Sequence, residues 1–266
     1  MKTFFTKIVL SFLLLLMVSN CGTIQSTFIS PTPILLNKPE ISDFEEVYIP
    51  QEKSARKNFF KDSEAETHWA DSIYNQMTLQ EKVGQLFMVA AYSNKDSNHI
   101  NAIEKLIKDQ KIGGVIFFQG GPLRQANLTN RYQAKSKIPL FVGIDAEWGL
   151  SMRLDSTYRY PWNMTLGAIK DLNLIENVGE LMGKESRRMG VHFNFAPVLD
   201  INTNPKNPII GNRSFGENKF NVTEKAIALM KGVQKQGVFS TGKYFPCHGD
   251  TSIDSHLGLP TLSFSK

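Results

Sequence analysis

Two short runs, residues 113–118 (GGVIFF) and 139–145 (PLFVGID), are almost wholly apolar, and this constrains the fold more than any other feature. A strand with one wet face alternates apolar and polar residues. A run without that alternation is covered on both faces, as in a parallel sheet flanked by helices. Residues 191–201 and 239–245 read as two further strands, and segments of helical period lie between. Thr78-Leu79-Gln80-Glu81 is a capping box, opening a helix whose apolar positions Val83, Leu86, Phe87 and Ala90 recur at three and four. Ile100, Ile103, Leu106 and Ile107 mark a second helix. Leu174, Ile175, Val178, Leu181 and Met182 mark a third, and Ala226, Ile227, Met230 and Val233 a fourth. Such alternation predicts an α/β fold, either an open doubly wound sheet or a (β/α)₈ TIM-type barrel. No Gly-rich phosphate loop follows the first strand, which favours the barrel. Residues 63–266 fall short of the ~250 that a barrel typically takes, and only roughly four or five strands can be counted. The barrel is therefore expected to be incomplete at the C-terminus, the chain being a fragment or a natural truncation.

The first residues bear on compartment. Lys2 and Lys7 form a positive n-region, and residues 8–18 are apolar except for Ser11, the length of an export signal and too short to span a bilayer. The run ends in Val18-Ser19-Asn20-Cys21, which resembles the lipobox of bacterial lipoproteins, where cleavage before the cysteine leaves it to carry the lipid. Residues 1–20 are thus expected to be a lipoprotein signal peptide, with Cys21 the lipid attachment site and the mature protein exported and membrane-anchored. An ordinary signal peptide with a chance cysteine is the alternative. Residues 21–62 hold Pro31, Pro33, Pro39 and Pro50 and no sustained period, the composition of a tether.

Charge and cysteine content exclude other classes. The net charge is +5, two of the lysines lie in the expected signal, and no Lys/Arg block is dense enough to track a phosphate backbone, so no nucleic-acid partner is expected. Two cysteines, Cys21 and Cys247, rule out a disulfide scaffold and a four-thiolate zinc site.

In a parallel barrel the chemistry sits at the C-terminal ends of the strands, and the polar clusters of this chain fall there. Asp145-Ala146-Glu147-Trp148-Gly149 follows one predicted strand. Asp200 and the segment Gly211-Asn212-Arg213-Ser214-Phe215-Gly216-Glu217 follow another. The last strand runs through Lys243-Tyr244-Phe245-Pro246-Cys247-His248-Gly249-Asp250 into Thr251-Ser252-Ile253-Asp254-Ser255-His256, the densest polar cluster in the chain.

These segments, with the Met77–Gln85 helix, the strand at 112–118 and Phe195-Ala196-Pro197-Val198-Leu199-Asp200, resemble glycoside hydrolase family 3 in their order and spacing. Within it they look like the β-N-acetylglucosaminidase subgroup, across about residues 70–266. The resemblance implies a barrel domain over residues 63–266. It also implies exo-acting hydrolysis of terminal β-linked N-acetylglucosamine from cell-wall or chitin-type oligosaccharides, with retention and without a cofactor or metal. It puts the general acid/base on His256, paired with Asp254. An imidazole titrates near neutrality, so it can give a proton to a leaving oxygen and take one back from water. It puts sugar binding on Asp145, Arg153, Arg213, Lys243 and His248, where charge-assisted hydrogen bonds can discriminate hydroxyl stereochemistry. Trp148 either stacks on a sugar or packs. The family's nucleophilic aspartate lies on a strand beyond this loop, and no Asp in residues 1–266 occupies that motif.

The chain departs from the family pattern at two positions. Tyr244 stands where members usually have His, and Cys247 where they have Gly. Three other readings remain: a family 3 β-glucosidase-like hydrolase, which would take its acid from elsewhere, a metal-dependent hydrolase built on His248, Asp250, Asp254 and His256, and a non-catalytic sugar-binding lipoprotein. The anchor reading has a direct test. Cys21→Ser should move the protein from the membrane fraction to the soluble fraction, because a single residue carries the lipid. Persistence of the variant at the membrane as a processed lipoprotein would sink the lipobox.

Overall fold

The computed structural model describes residues 64–245 and 248–262. The expected signal at 1–20, Cys21, the tether at 21–62 and Cys247 all lie outside the described residues. Helix α1 (Glu64–Tyr74) leads into α2 (Leu79–Gly84), strand β1 (Met88–Ala91) and α3 (Ser97–Lys105), the last continuing as a π-helical turn, Leu106–Gln110. Strand β2 (Gly114–Phe117), α4 (Pro122–Lys135) and β3 (Phe141–Ile144) follow. Next come a short α5 (Asn163–Gly167), α6 (Leu172–Arg188), β4 (Phe193–Asn194), α7 (Lys219–Lys235) and β5 (Phe239–Ser240). Four of the helices begin where polar side chains replace missing intrahelical partners. Thr78 and Glu81 close the expected capping box, Asp96 and Asp171 cap α3 and α6, and the Asn218 carboxamide oxygen accepts from the Phe220 and Asn221 amides.

The five strands pair in chain order, β1-β2-β3-β4-β5, and every pair is parallel. A doubly wound sheet reverses direction at a switch point. Here each strand is added on the same side as the one before, which is the progression of a barrel. The α/β barrel expectation is met, and the sheet has five strands among the described residues.

Alternate residues separate the two faces. Val115, Phe117, Val142 and Ile144 are buried beneath the helices together with Ile107, Leu128, Tyr132, Ile175 and Leu229. Phe141, Phe193 and Phe239 line the other face as an aromatic ladder, with centroid separations of 5.0 Å and 5.1 Å. That inner face is only partly covered: Phe141 is 51% exposed and Phe239 44%.

Three readings of the sequence need correction. The helix opened by Thr78 ends at Gly84, and Ala90 belongs to β1 rather than to that helix. The reason is tertiary. Met88–Ala91 pairs with Gly114–Phe117, and sheet pairing overrides a helical spacing that four residues satisfy by coincidence. Leu86 and Phe87, expected on a buried face, are 83% and 57% exposed. The predicted strands at 191–201 and 239–245 each shrink to two paired residues. Pro197 has no N–H to give to the ladder. Pairing resumes beyond it as a single bridge between Val198 and Lys243, supported by Lys243 N–H donating to the Pro197 carbonyl at 2.9 Å and Leu199 N–H donating to the Lys243 carbonyl at 3.0 Å.

Helices α6 and α7 meet backbone to backbone. A Cβ on Gly232 would lie 2.0 Å from the Glu176 carbonyl oxygen and 2.7 Å from the Glu180 nitrogen, and one on Gly179 would lie 2.2 Å from the Leu229 carbonyl oxygen. Gly232→Ala should therefore destabilise the protein by about 2 kcal/mol of overpacking, even though Ala gains up to ~1 kcal/mol over Gly inside a helix. Thermal unfolding followed by circular dichroism reads the sign: a lower Tm is expected, and a higher one would show that the helices do not touch there.

Candidate active site

The loops after β3, β4 and β5 converge on a cluster of two carboxylates and three cations. Asp145 and Glu147 come from the turn after β3, whose middle residue is fixed by a neighbour in β4. The Asn194 carboxamide oxygen accepts from Ala146 N–H at 3.0 Å, and its Nδ2 donates to the Ala146 carbonyl at 3.2 Å. Both acids are thereby presented at one level. Lys243, on the continuation of β5, donates to Asp145 Oδ1 at 2.8 Å and to Glu147 Oε1 at 2.7 Å. Arg153 donates to Asp145 Oδ2 at 2.6 Å, and its guanidinium lies 4.7 Å from the centre of the Phe118 ring. Arg213 grips Glu147 with two parallel bonds of 2.8 Å and 2.7 Å, and donates through Nη1 to the Ile209 carbonyl and through Nη2 to the Tyr244 hydroxyl.

Glu147 has no exposed surface. Burial by itself would raise its carboxyl, but the Arg213 hydrogen bonds and the Lys243 charge outweigh that and hold it below the usual range. For Asp145, burial is again overcome, here by Lys243 and Arg153. The same pairings raise Lys243 and Arg213 against the burial that would lower them. Asp145, Glu147, Lys243 and Arg213 are thereby held charged, and the cluster contains one more basic than acidic side chain. An ammonium has three N–H donors and a guanidinium five. Two of the Lys243 donors are engaged, which leaves one for a ligand hydroxyl. The arrangement can therefore exchange hydrogen bonds with several adjacent hydroxyls, as donor and acceptor, without creating a buried uncompensated charge.

The Asp254 and His256 pair lies on the loop that follows. Asp254 Oδ1 meets His256 Nδ1 at 2.7 Å and accepts the His256 N–H at 2.9 Å. These bonds hold the Asp254 carboxyl below its ordinary value. A carboxylate against Nδ1 fixes the proton there, so Nε2 is the atom left to react. The His256 side chain is 71% exposed, and among the described residues no hydrogen bond or ion pair joins this dyad to the Asp145 cluster.

His248, expected to bind sugar, is buried. Nδ1 lies 2.8 Å from Thr251 Oγ1 and Nε2 3.1 Å from Ser255 Oγ, so both ring nitrogens are occupied within the loop. Trp148 packs on Trp162 with centroids 4.2 Å apart. Tyr244 has φ +65, which a bulky side chain adopts only under constraint. Its hydroxyl accepts from Arg213 and its ring lies edge-on to His248. Among the described residues, no three His, Cys, Asp or Glu side chains converge as a cation site.

The sequence placed Glu147 and Asp200 among the polar residues at strand ends without giving either a role, and it did not single out Asn194. Asp200 is buried, accepts from the backbone amides of His248 and Gly249, and has a carboxyl raised by burial against those bonds. Glu147 follows Asp145 by two residues at a strand end, and that spacing was the one available signal. Asn194 carried none, because its partner Ala146 is 48 residues away in the chain.

The chain is thus a parallel α/β barrel with a charged cluster at its strand ends and a carboxylate-imidazole pair on the loop after β5. The family described as "Glycosyl hydrolase family 3 N terminal domain" matches residues 78–266, and the chain belongs to it. It is 38% identical over 177 residues to "Beta-hexosaminidase A" of Pseudoalteromonas piscicida, covering 62% of this chain and 30% of that protein. Among solved structures, a glycoside hydrolase family 3 β-N-acetylglucosaminidase from Paenibacillus sp. str. FPU-7 superposes with a TM-score of 0.64 at 38% identity, over 70% of this chain and 36% of its own. The β-glucoside phosphorylase BglX bound to 2FGlc superposes with a TM-score of 0.68 at 27% identity, over 73% and 35%. The chain thus spans about a third of each of these proteins.

Glu147→Gln should lower stability at neutral pH by about 3 kcal/mol, since it removes the charge on which two buried cations depend. A carboxyl held below its ordinary value stabilises the fold fully above about pH 4 and ceases to do so as the pH falls through its folded value. The gap between variant and wild type, read by urea denaturation, should close below pH 4. A gap independent of pH would mean that the loss is steric.

Proposed function

We propose that this chain forms part of an enzyme that removes terminal β-linked N-acetylglucosamine from cell-wall or chitin-type oligosaccharides. The observation that carries this reading is the Asp254 and His256 pair, with Nδ1 held and Nε2 exposed, in a chain related to a β-hexosaminidase. His256 Nε2 gives a proton to the leaving glycosidic oxygen as the bond to the anomeric carbon breaks. A carboxylate on the opposite face forms the glycosyl ester, and His256 then takes a proton from the water that hydrolyses it. Asp254 stabilises the imidazolium. The carboxylate nucleophile is assigned to no residue of this chain.

Asp145, Arg153, Arg213 and Lys243 hold the sugar through its hydroxyls, with Glu147 keeping the two cations in place. The protein is exported and tethered to a membrane through a lipid on Cys21. The support for that placement is the charged and apolar pattern before Cys21 in the sequence.

His256→Ala, made in the full gene product, should slow turnover of natural oligosaccharides by ~10²-fold or more, because their leaving group needs a proton. An aryl glycoside, whose phenolate departs without one, should lose much less. Equal losses on both substrates would give His256 a binding or structural role instead of that of general acid.

A further inference from the structure

Asn207 uses every hydrogen-bonding position of its carboxamide, and it uses them on two different functional loops. Its Oδ1 accepts from the backbone amides of Ile209 at 2.9 Å and Ile210 at 2.7 Å. Its Nδ2 donates to the carbonyls of His248 at 2.7 Å and Thr251 at 2.9 Å. Two lone pairs and two N–H groups are the whole inventory of an amide side chain. The orientation is also fixed by its partners: flipped, the oxygen would face two carbonyls and the NH₂ two N–H groups.

One end of this staple holds the turn whose Ile209 carbonyl accepts from Arg213 Nη1 at 2.9 Å. The other end holds the turn in which Thr251 Oγ1 meets His248, and His248 Nε2 meets Ser255, the residue between Asp254 and His256. Asp200 reinforces the second end by accepting from the His248 and Gly249 amides. Asn204 does so by donating to the carbonyls of Asp250 and Thr251 at 3.3 Å.

We infer that Asn207 is a positioning residue that couples the sugar-holding Arg213 turn to the loop carrying Asp254 and His256, so that a sugar engaged by Arg213 orders the acid/base loop. The inference rests on the glycosidase reading for its sugar, though not for the staple itself. Asn207→Asp is the discriminating variant. It keeps an acceptor for Ile209 and Ile210 but sets a carboxylate oxygen against the carbonyls of His248 and Thr251.

Hydrogen exchange read by mass spectrometry on the full chain, with and without N-acetylglucosamine, separates the possibilities. In Asn207→Asp, amides of residues 248–256 should exchange about tenfold faster, the expected effect of two lost hydrogen bonds, while those of residues 209–213 stay protected. In wild type the sugar should slow exchange in both segments, and in the variant only around Arg213. In the full gene product, kcat on a natural oligosaccharide should fall about tenfold while KM and turnover of an aryl glycoside change little. Unchanged exchange at 248–256, equal opening of both segments, or sugar protection that still reaches 248–256 in the variant would each overturn the coupling. Absence of any sugar effect in wild type would instead overturn the glycosidase reading, while the exchange of 248–256 in the variant would still decide the staple.

Discussion

Glu147 is a fully buried carboxylate, and the site depends on how its charge is met. An isolated ion in that position would cost several kcal/mol of lost hydration. Two cations from separate strands meet it, Arg213 from the loop after β4 and Lys243 from the continuation of β5. Lys243 then extends the network to Asp145, and Asp145 to Arg153. One electrostatic requirement thus gathers the ends of three strands. It holds Asp145, Lys243 and Arg213 charged and in place, and charged groups fixed in advance make strong, directional hydrogen bonds.

Around this network short amides and carboxylates tie the loops to one another. Asn194 sets the turn between the two acids, Asn207 ties the Arg213 turn to the loop after β5, and Asp200 receives that loop's amides. Tyr244 is held at positive φ between Arg213 and His248. Conformations of this kind cost ~1–3 kcal/mol and persist where the surroundings over-determine them; the Arg213 bond and the His248 ring supply that constraint. The Asp254 and His256 pair shares no hydrogen bond or ion pair with this network among the described residues, and of the two His256 is the exposed one. The charged cluster and this pair thus come from separate segments of the chain.

How much was legible in the sequence depended on the range of the interaction. The runs at 113–118 and 139–145 became β2 and β3, the capping box opened α2, and the periodic stretches after Leu172 and Lys219 became α6 and α7, because those patterns are local. The first strand was misread as helix since its pairing with β2 lies outside any local window. The strands around Pro197 and Lys243 were read too long, because apolar composition does not report where a missing N–H breaks a ladder. Asp145, Arg153, Arg213 and Lys243, singled out one by one through resemblance to a family, stand together in one network.

The sequence by itself determined the parallel α/β architecture, the start of α2, the family and the placing of polar clusters at strand ends. All of these follow from side-chain period, capping residues and motif order within a few tens of residues. Only the tertiary structure decided that His248 turns inward onto Thr251 and Ser255, that Trp148 packs on Trp162, and that Glu147 and Asn207 hold the functional loops together. Arg213 and Glu147 are 66 residues apart, and Lys243 and Asp145 98. Contacts of that span are set by which strands lie side by side, and a linear pattern carries no record of the distance that folding removes.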